Sequence, residues 1–264
     1  MTYSTLASIV KYPYSSSHAG EKGKFGFFTT EKETFEKIAD ELGMIKLEEE
    51  RYCRHPLVYM VEAADDICYQ VMDIEDGHKL KLLSTEETID LLTSLFDDER
   101  KEHMREVMEN VADPNEKIVY LRSCVVGLLV QECAKTFVEH EDEIMEGRFN
   151  GSLIDNISPR PKEGYKRCSD LAFKKLYRAG YVVDVDLAGI RIINLLLDKL
   201  TQAVLHPETN YSQLLLNKFP QQYDVHATNL FEKIQGVLDH ISAMTDVYAL
   251  NLYRQLDGIS LPTV

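Results

Sequence analysis

The chain has 264 residues, 44% of them hydrophobic, which suffices for one large hydrophobic core or two smaller ones. Its formal net charge of −15 argues against a protein that coats nucleic acid, since phosphate binding requires a clustered positive face. Five cysteines without a CxxC pair are typical of a reduced interior rather than of a disulfide framework. No apolar run approaches the ~18 residues of a membrane span, and the N-terminus is a poor signal peptide. We therefore expect a cytoplasmic protein without a membrane partner.

The first half of the chain has helical periodicity almost throughout. Thr29 is a usable N-cap for a helix over 31–44. Apolar residues three or four apart predict the next helix over 57–78, with Pro56 before its start and Gly77 as a stop signal. Further helices are predicted over 84–96, 97–111 and 118–145.

The second half begins with the best loop or linker candidate, 147–164, where Gly, Asn, Ser and Pro accumulate. Only 181–187 (YVVDVDL) alternates like a strand, and it is short enough to be the entrance of a helix instead. Helices are predicted over 165–178, 184–204, 228–240 and 244–257. With no internal repeat and no βαβ alternation, the sequence predicts an all-α protein.

The helix predicted over 57–78 carries a polar stripe. Asp65, Tyr69 and Asp73 stand at i, i+4 and i+8, so they share one edge of the helix over roughly 12 Å. The adjacent charges of Asp65 and Asp66 repel each other unless a cation offsets them. Either a bound metal ion or solvent would reduce this repulsion. The pattern alone favours the second possibility, a solvated acidic face.

A loop near the N-terminus combines cations with aromatic rings. In VKYPYSSSHAGEKGKFGFF, three lysines alternate with tyrosines and phenylalanines, and three glycines keep the backbone flexible. A pocket for phosphate and sugar would use these residue types. Without further observations, an ordinary surface loop is the simpler interpretation.

The segment 159–180 contains seven Lys or Arg and two acidic residues in an otherwise acidic chain. Its aromatic residues alternate with the cations, as in proteins that bind single-stranded nucleic acid. Another anion, an acidic surface of a second subunit, or plain solvent would explain the segment equally well.

Three stretches, in the same order along the chain, resemble the dGTPase branch of the HD-domain metal-dependent phosphohydrolases. HPLVYMVEAADDICYQVMDIEDGHKL resembles the signature helix of that family, and LASIVKYPYSS with KFGFFTTEKETFEKIADELGM resembles the segment before it. HISAMTDVYALNLYRQLDGI resembles the family's C-terminal helix. The resemblance implies a multi-helix HD-domain-like fold, with 1–112 as the C-terminal part of the catalytic core and 113–264 as the C-terminal helical region.

The resemblance also implies a reaction. Family members hydrolyse a deoxynucleoside triphosphate to a deoxynucleoside and tripolyphosphate, using water activated by a divalent metal, Mn²⁺ or Mg²⁺. Asp65 matches the family's final metal ligand, which makes it the predicted metal-binding and catalytic residue. Tyr69 and Asp73 match positions that face the deoxynucleotide, where a carboxylate accepts a hydrogen bond from a sugar hydroxyl. The residues that match phosphate contacts are Lys11, Tyr12 and Lys24.

The rest of the family's metal motif does not occur in this sequence. The family has an HxxxxH…HD region upstream of the signature helix, and these 264 residues contain no His-Asp dipeptide. His18, His55 and His78 are the nearest candidates and are better explained as loop or helix-packing residues. We therefore expect one metal ligand of four, a fold incomplete on its N-terminal side, and little or no hydrolase activity from the isolated chain.

Missing helices would leave the apolar side of the 57–78 helix uncovered. A polypeptide that carries the missing half could cover it, as could a homo-oligomer, or the sequence is part of a longer protein. The alternative function is a non-catalytic module in which 159–180 binds nucleotide or single-stranded DNA, or assembles an oligomer. Asp186 is a candidate for a contact with the base or with another subunit.

Overall fold

Helices account for most of the structure, which confirms the predicted all-α class. The computed structural model describes residues 1–260, and within them it has twelve α-helices and one two-stranded antiparallel sheet. The chain divides into two units, Met1–Tyr177 and a second that begins at Arg178. No helix in the described part of the chain combines the length and the apolar character that crossing a membrane requires.

The first unit contains eight α-helices and the sheet. The helices are α1 (Tyr3–Ser8), α2 (Lys32–Glu41), α3 (Pro56–Lys79), α4 (Thr85–Thr93), α5 (Asp98–Glu109), α6 (Pro114–Glu139), α7 (Glu141–Met145) and α8 (Pro159–Leu171). A π-helical stretch, Ala172–Leu176, continues α8. Strands β1 (Lys46–Glu48) and β2 (Arg51–Tyr52) form a hairpin that the sequence did not predict, because charged residues hide any alternation there.

The core of the first unit lies between α3 and α6, against which α4 and α8 also pack. Each buried aliphatic side chain in such a core contributes about 1.5–3 kcal/mol of transfer free energy. The fully packed positions include Ile67, Val71 and Ile74 on α3 and Leu121, Val125 and Leu129 on α6. Because α3 is packed along its length, the residues on its opposite edge are held on a rigid support.

Gly77 does not end α3, as the sequence predicted, but allows a close contact. The helix continues to Lys79, and a Cβ atom at Gly77 would stand 2.5 Å from Leu176 Cδ2 in the π-helical stretch. The chain leaves the helix just afterwards, where Lys81 adopts a positive φ of 59°. The glycine therefore serves packing between α3 and the segment after α8.

Two other boundaries differ from the prediction, and one open alternative is decided. The helix predicted over 118–145 is broken at His140 into α6 and α7, and the loop predicted over 147–164 ends at Ser158, since Pro159 is accepted in the first turn of α8. The alternating stretch 181–187 forms the first turns of a helix, which is the second of its two predicted interpretations, because a short run of β-branched residues does not outweigh the long helical pattern that follows it.

The second unit consists of four helices: α9 (Gly180–Leu205), α10 (Asn210–Leu216), α11 (Leu230–Ser242) and α12 (Asp246–Leu256). Its core is formed by the C-terminal half of α9 with the other three helices. The N-terminal half of α9 exposes apolar side chains such as Leu187 and Ile190. The predicted division at 112/113 concerns functional roles and stays a proposal. In the structure, α6 lies C-terminal to this division and packs against α3, which lies before it.

Candidate active site

The polar stripe of α3 lies on the side of the helix away from its core positions. Asp65 and Tyr69 are exposed, Tyr69 by 67%, and Asp73 is half-buried. The start of α3 is held by His55, whose Nδ1 accepts a hydrogen bond of 3.2 Å from the backbone N–H of Leu57. Burial lowers the pKa of His55, which favours the neutral ring that this cap requires.

A buried carboxylate joins the N-terminal loop to α3. Lys11 Nζ lies 2.9 Å from Glu62 Oε1, and Arg54 Nη1 lies 2.8 Å from Glu62 Oε2. The Glu62 side chain is only 7% exposed, and its hydrogen bond raises the pKa of Lys11. Because Glu62 is one helical turn before Asp65, this ion pair brings a predicted phosphate contact to the helix that carries the polar stripe.

Sequence reasoning missed Glu62, although a signal was present. The motif EAADD has its first acid three residues before Asp65, and two consecutive alanines separate them. A lone acid in the middle of an apolar helical face requires a cationic partner, and this requirement would have drawn attention to it.

The three predicted phosphate contacts come together around one ring. The ammonium groups of Lys11 and Lys24 lie 6.0 and 5.7 Å from the centroid of the Tyr12 ring, at the limit of a cation–π contact. Gly26 makes this fold of the loop possible, since a Cβ atom there would stand 2.1 Å from the carbonyl oxygen of Tyr12. The loop is thus a packed structure with two neighbouring cations.

Asp73 has a partner that the sequence did not indicate. The Tyr177 hydroxyl donates a hydrogen bond to Asp73 Oδ2, across 104 residues of sequence. Burial and this hydrogen bond raise the pKa of Tyr177 to about 12, so the phenol stays protonated. Asp73 Oδ1 has no hydrogen bond within residues 1–260 and remains available to a ligand.

The described residues do not by themselves form a divalent metal site. Among residues 1–260, no group of three or more His, Cys, Asp or Glu is arranged to hold a metal ion. Asp65 is a single exposed carboxylate, whereas tight sites converge several oxygen or nitrogen ligands. The nearest histidines serve other contacts, since His55 caps α3 and His78 Nε2 lies 2.9 Å from Thr85 Oγ1. His18 lies by Glu50 at 3.8 Å.

The basic segment 159–180 is partly neutralised inside the first unit. Arg167 Nη2 lies 3.2 Å from Asp90 Oδ2, and Lys175 Nζ lies 2.6 Å from Glu87 Oε1, both on α4. These pairs give part of the basic charge a structural role. Binding of single-stranded DNA by this segment stays a prediction, as does a role for Asp186, which is exposed on α9.

Comparison with known proteins finds one family model and several relatives that match this sequence. Residues 156–255 match the family model of a phosphohydrolase-associated domain. The chain is 33% identical to a deoxyguanosinetriphosphate triphosphohydrolase-like protein of Synechocystis, over 99% of this chain and 60% of that protein. A protein of the same description from Pseudomonas aeruginosa is 30% identical over 100% of this chain and 61% of its own length.

A deoxyguanosinetriphosphate triphosphohydrolase of Yersinia pestis is 29% identical over 89% of this chain and 49% of its own length. Almost the whole chain is therefore similar to proteins named dGTP triphosphohydrolase or dGTP triphosphohydrolase-like. It spans about 60% of the length of the first two relatives.

Proposed function

We propose that the chain forms part of the active site of a hydrolase that converts a deoxynucleoside triphosphate, such as the dGTP in its relatives' names, into deoxynucleoside and tripolyphosphate. The Lys11–Glu62 ion pair of 2.9 Å is the observation that carries this proposal. It supports a single site in which the cationic loop and the acidic stripe of α3 act on one substrate, with phosphates at the loop and sugar at the stripe.

The proposed reaction is attack of water on the α-phosphorus, which breaks its bond to the 5′ oxygen and releases tripolyphosphate. Lys11 and Lys24 would offset negative charge on the phosphoryl oxygens. The half-buried Asp73 would accept a hydrogen bond from a sugar hydroxyl through its free Oδ1, while Tyr69 would pack beside the sugar. These roles hold and orient the substrate.

Asp65 is the proposed metal ligand of this chain, and Mn²⁺ or Mg²⁺ is the proposed metal. Because residues 1–260 offer no cluster of three donors, the remaining ligands would come from outside them. For this reason we expect the isolated chain to bind nucleotide without appreciable hydrolysis. An assay of tripolyphosphate release from dGTP in the presence of Mn²⁺ checks this expectation. Light scattering on the same sample gives the mass of the particle that was assayed.

Equilibrium binding of dGTP to the purified chain tests the proposed site. We expect Lys11→Ala to weaken binding about tenfold, the usual contribution of one charge-assisted contact to phosphate. Lys37→Ala is the matched control, because Lys37 is an exposed lysine on α2 without an ion pair among the described residues. Equal effects of the two substitutions, or no binding by the unaltered chain, would contradict the proposal.

A further inference from the structure

The N-terminal half of α9, in the second unit, exposes an apolar surface. Six of its large apolar side chains are between 39% and 71% exposed: Tyr181, Val183, Val185, Leu187, Ile190 and Ile193. Single exposed apolar residues are common on protein surfaces, but six in a stretch of thirteen residues are typical of an interaction surface.

Three of these residues share one edge of the helix. Val183, Leu187 and Ile190 are spaced four and three residues apart, so they fall within roughly 60° of one another around the helix axis. The residues of α9 that pack in the core of the second unit, such as Leu196 and Ala203, lie more than about 100° from this edge. Each of the three edge residues is at least 39% exposed, so the described part of the chain leaves this edge uncovered.

The spacing of this edge is that of a contact between two helices. Apolar residues that alternate four and three apart form the seam of paired helices, because each side chain then fits between those of the facing helix. The exposed Asn194, four residues after Ile190, ends the apolar seam with a polar group. From Val183 to Asn194 the seam is about 17 Å long.

The charges beside the seam are complementary to those of a second, antiparallel copy. Asp184 follows Val183 and Arg191 follows Ile190, so both charged residues lie on the same flank of the seam. Both are exposed, and neither has an ion pair among residues 1–260. When two identical helices pair in opposite directions, this flank meets itself, and Asp184 of each copy would face Arg191 of the other. One two-fold interface then contains two ion pairs.

We infer that the N-terminal half of α9 is an interface with a second copy of this chain, packed antiparallel across Val183, Leu187 and Ile190. The antiparallel direction places the two second units at opposite ends of the helix pair and opposes the two helix dipoles. This inference goes beyond the proposed function, because the residues proposed to hold the substrate all lie in the first unit.

Sedimentation equilibrium of the purified chain, over about two decades of concentration, tests the inference. We expect Leu187→Glu to weaken self-association at least about tenfold, because each copy would bring a carboxylate into the apolar seam. Leu214→Glu is the matched control, since Leu214 on α10 is exposed by the same 61% and lies outside the seam. A monomer at every concentration would overturn the inference, as would equal effects of the two substitutions. Circular dichroism of each variant separates a lost interface from a lost helix.

An exchange of charges tests the proposed direction of the pair. Arg191→Asp alone should weaken self-association about fivefold, the contribution of two exposed ion pairs. Adding Asp184→Arg to this variant should restore the association, because each pair is then rebuilt with its charges reversed. Restoration by Asp186→Arg instead would overturn the antiparallel arrangement, since Asp186 faces Arg191 only when the helices are parallel. No restoration by either exchange would overturn the proposed ion pairs. No nucleotide enters these measurements, so their outcome leaves the proposed function unaffected.

Discussion

The N-terminal loop and the basic segment 159–180 both combine cations with aromatic rings, yet the structure arranges their charges differently. In the loop, Lys11 and Lys24 approach one ring, and Lys11 shares the buried carboxylate of Glu62 with Arg54. In the basic segment, Arg167 and Lys175 each reach a separate carboxylate on α4. The loop therefore concentrates positive charge beside a cavity of about 310 Å³, whereas the segment distributes it over the surface of the unit.

The difference shows that composition alone does not make a binding site. Both segments have the residue types that bind phosphate, and a count of cations would have favoured the basic segment. Whether a segment binds an anion depends on whether several of its cations face the same space, because Coulomb attraction adds up only when the charges face the same ligand. Substitutions in the two regions should therefore have effects of different size.

The largest difference should appear in stability when the carboxylate partner of each region is removed. Glu62→Gln leaves Lys11 and the half-buried Arg54 without a counter-charge, and we expect a loss of about 2 kcal/mol in the free energy of unfolding. Glu87→Gln, which removes the partner of Lys175, should cost less than about 1 kcal/mol because that pair lies at the surface. Urea denaturation measures the free energy of unfolding of both variants. Equal losses would contradict the proposed difference between the loop and the basic segment.

A smaller effect is expected where the basic segment reaches the stripe of α3. Tyr177→Phe removes the donor to Asp73 and frees that carboxylate to rotate. We expect dGTP binding to weaken about fivefold, the contribution of a hydrogen bond that orients a charged group. Binding of 2′,3′-dideoxy-GTP serves as the control, because it lacks the 3′ hydroxyl.

An equal loss for both nucleotides would show that Tyr177 acts on the fold of the segment rather than on Asp73. An unchanged affinity for dGTP would remove the sugar contact from the proposal.

The protonation of Lys11 should depend on its buried partner. Its pKa lies above the ordinary 10.5, mainly because of the hydrogen bond to Glu62. A raised pKa contributes stability that is present below pH 10.5 and is lost as the pH rises through the folded-state pKa. Glu62→Gln should bring the Lys11 pKa down, as measured by NMR titration of its Cε resonance. An unchanged titration curve would show that the ion pair does not form in solution.

The smallest effect should come from Lys174→Glu in the basic segment. Lys174 has no ion pair within residues 1–260, so it is the appropriate residue for charge reversal. We expect the affinity for dGTP to change by less than about twofold, as for a surface charge outside the site. Loss of binding to a single-stranded oligonucleotide in this variant, with Asp65→Ala unaffected, would favour the alternative non-catalytic function.

Much of the fold follows from local pattern. The positions of α2, α3, α4, α11 and α12 agree with the predicted helices to within a few residues, because periodicity and caps act over one or two turns. The stripe of Asp65, Tyr69 and Asp73 was predicted for the same reason, since helical geometry alone places i, i+4 and i+8 on one edge.

The contacts between α3 and distant parts of the chain could not be predicted from the sequence. Glu62 with Lys11, Tyr177 with Asp73 and Gly77 against Leu176 each join segments that are distant along the chain. Whether such segments meet depends on how the helices pack, which is a property of the whole core and not of any short window.

The sequence by itself determined the all-α class, the main helices, the resemblance to a phosphohydrolase family and the residue types that could bind a phosphorylated ligand. Only the tertiary structure decided which cations converge and which are neutralised. It brought Lys11, Arg51 and Arg54 to one cavity wall and paired Arg167 and Lys175 with α4. The physical reason is that helical periodicity is local, whereas the electrostatic environment of a side chain is set by neighbours that only the packed fold supplies.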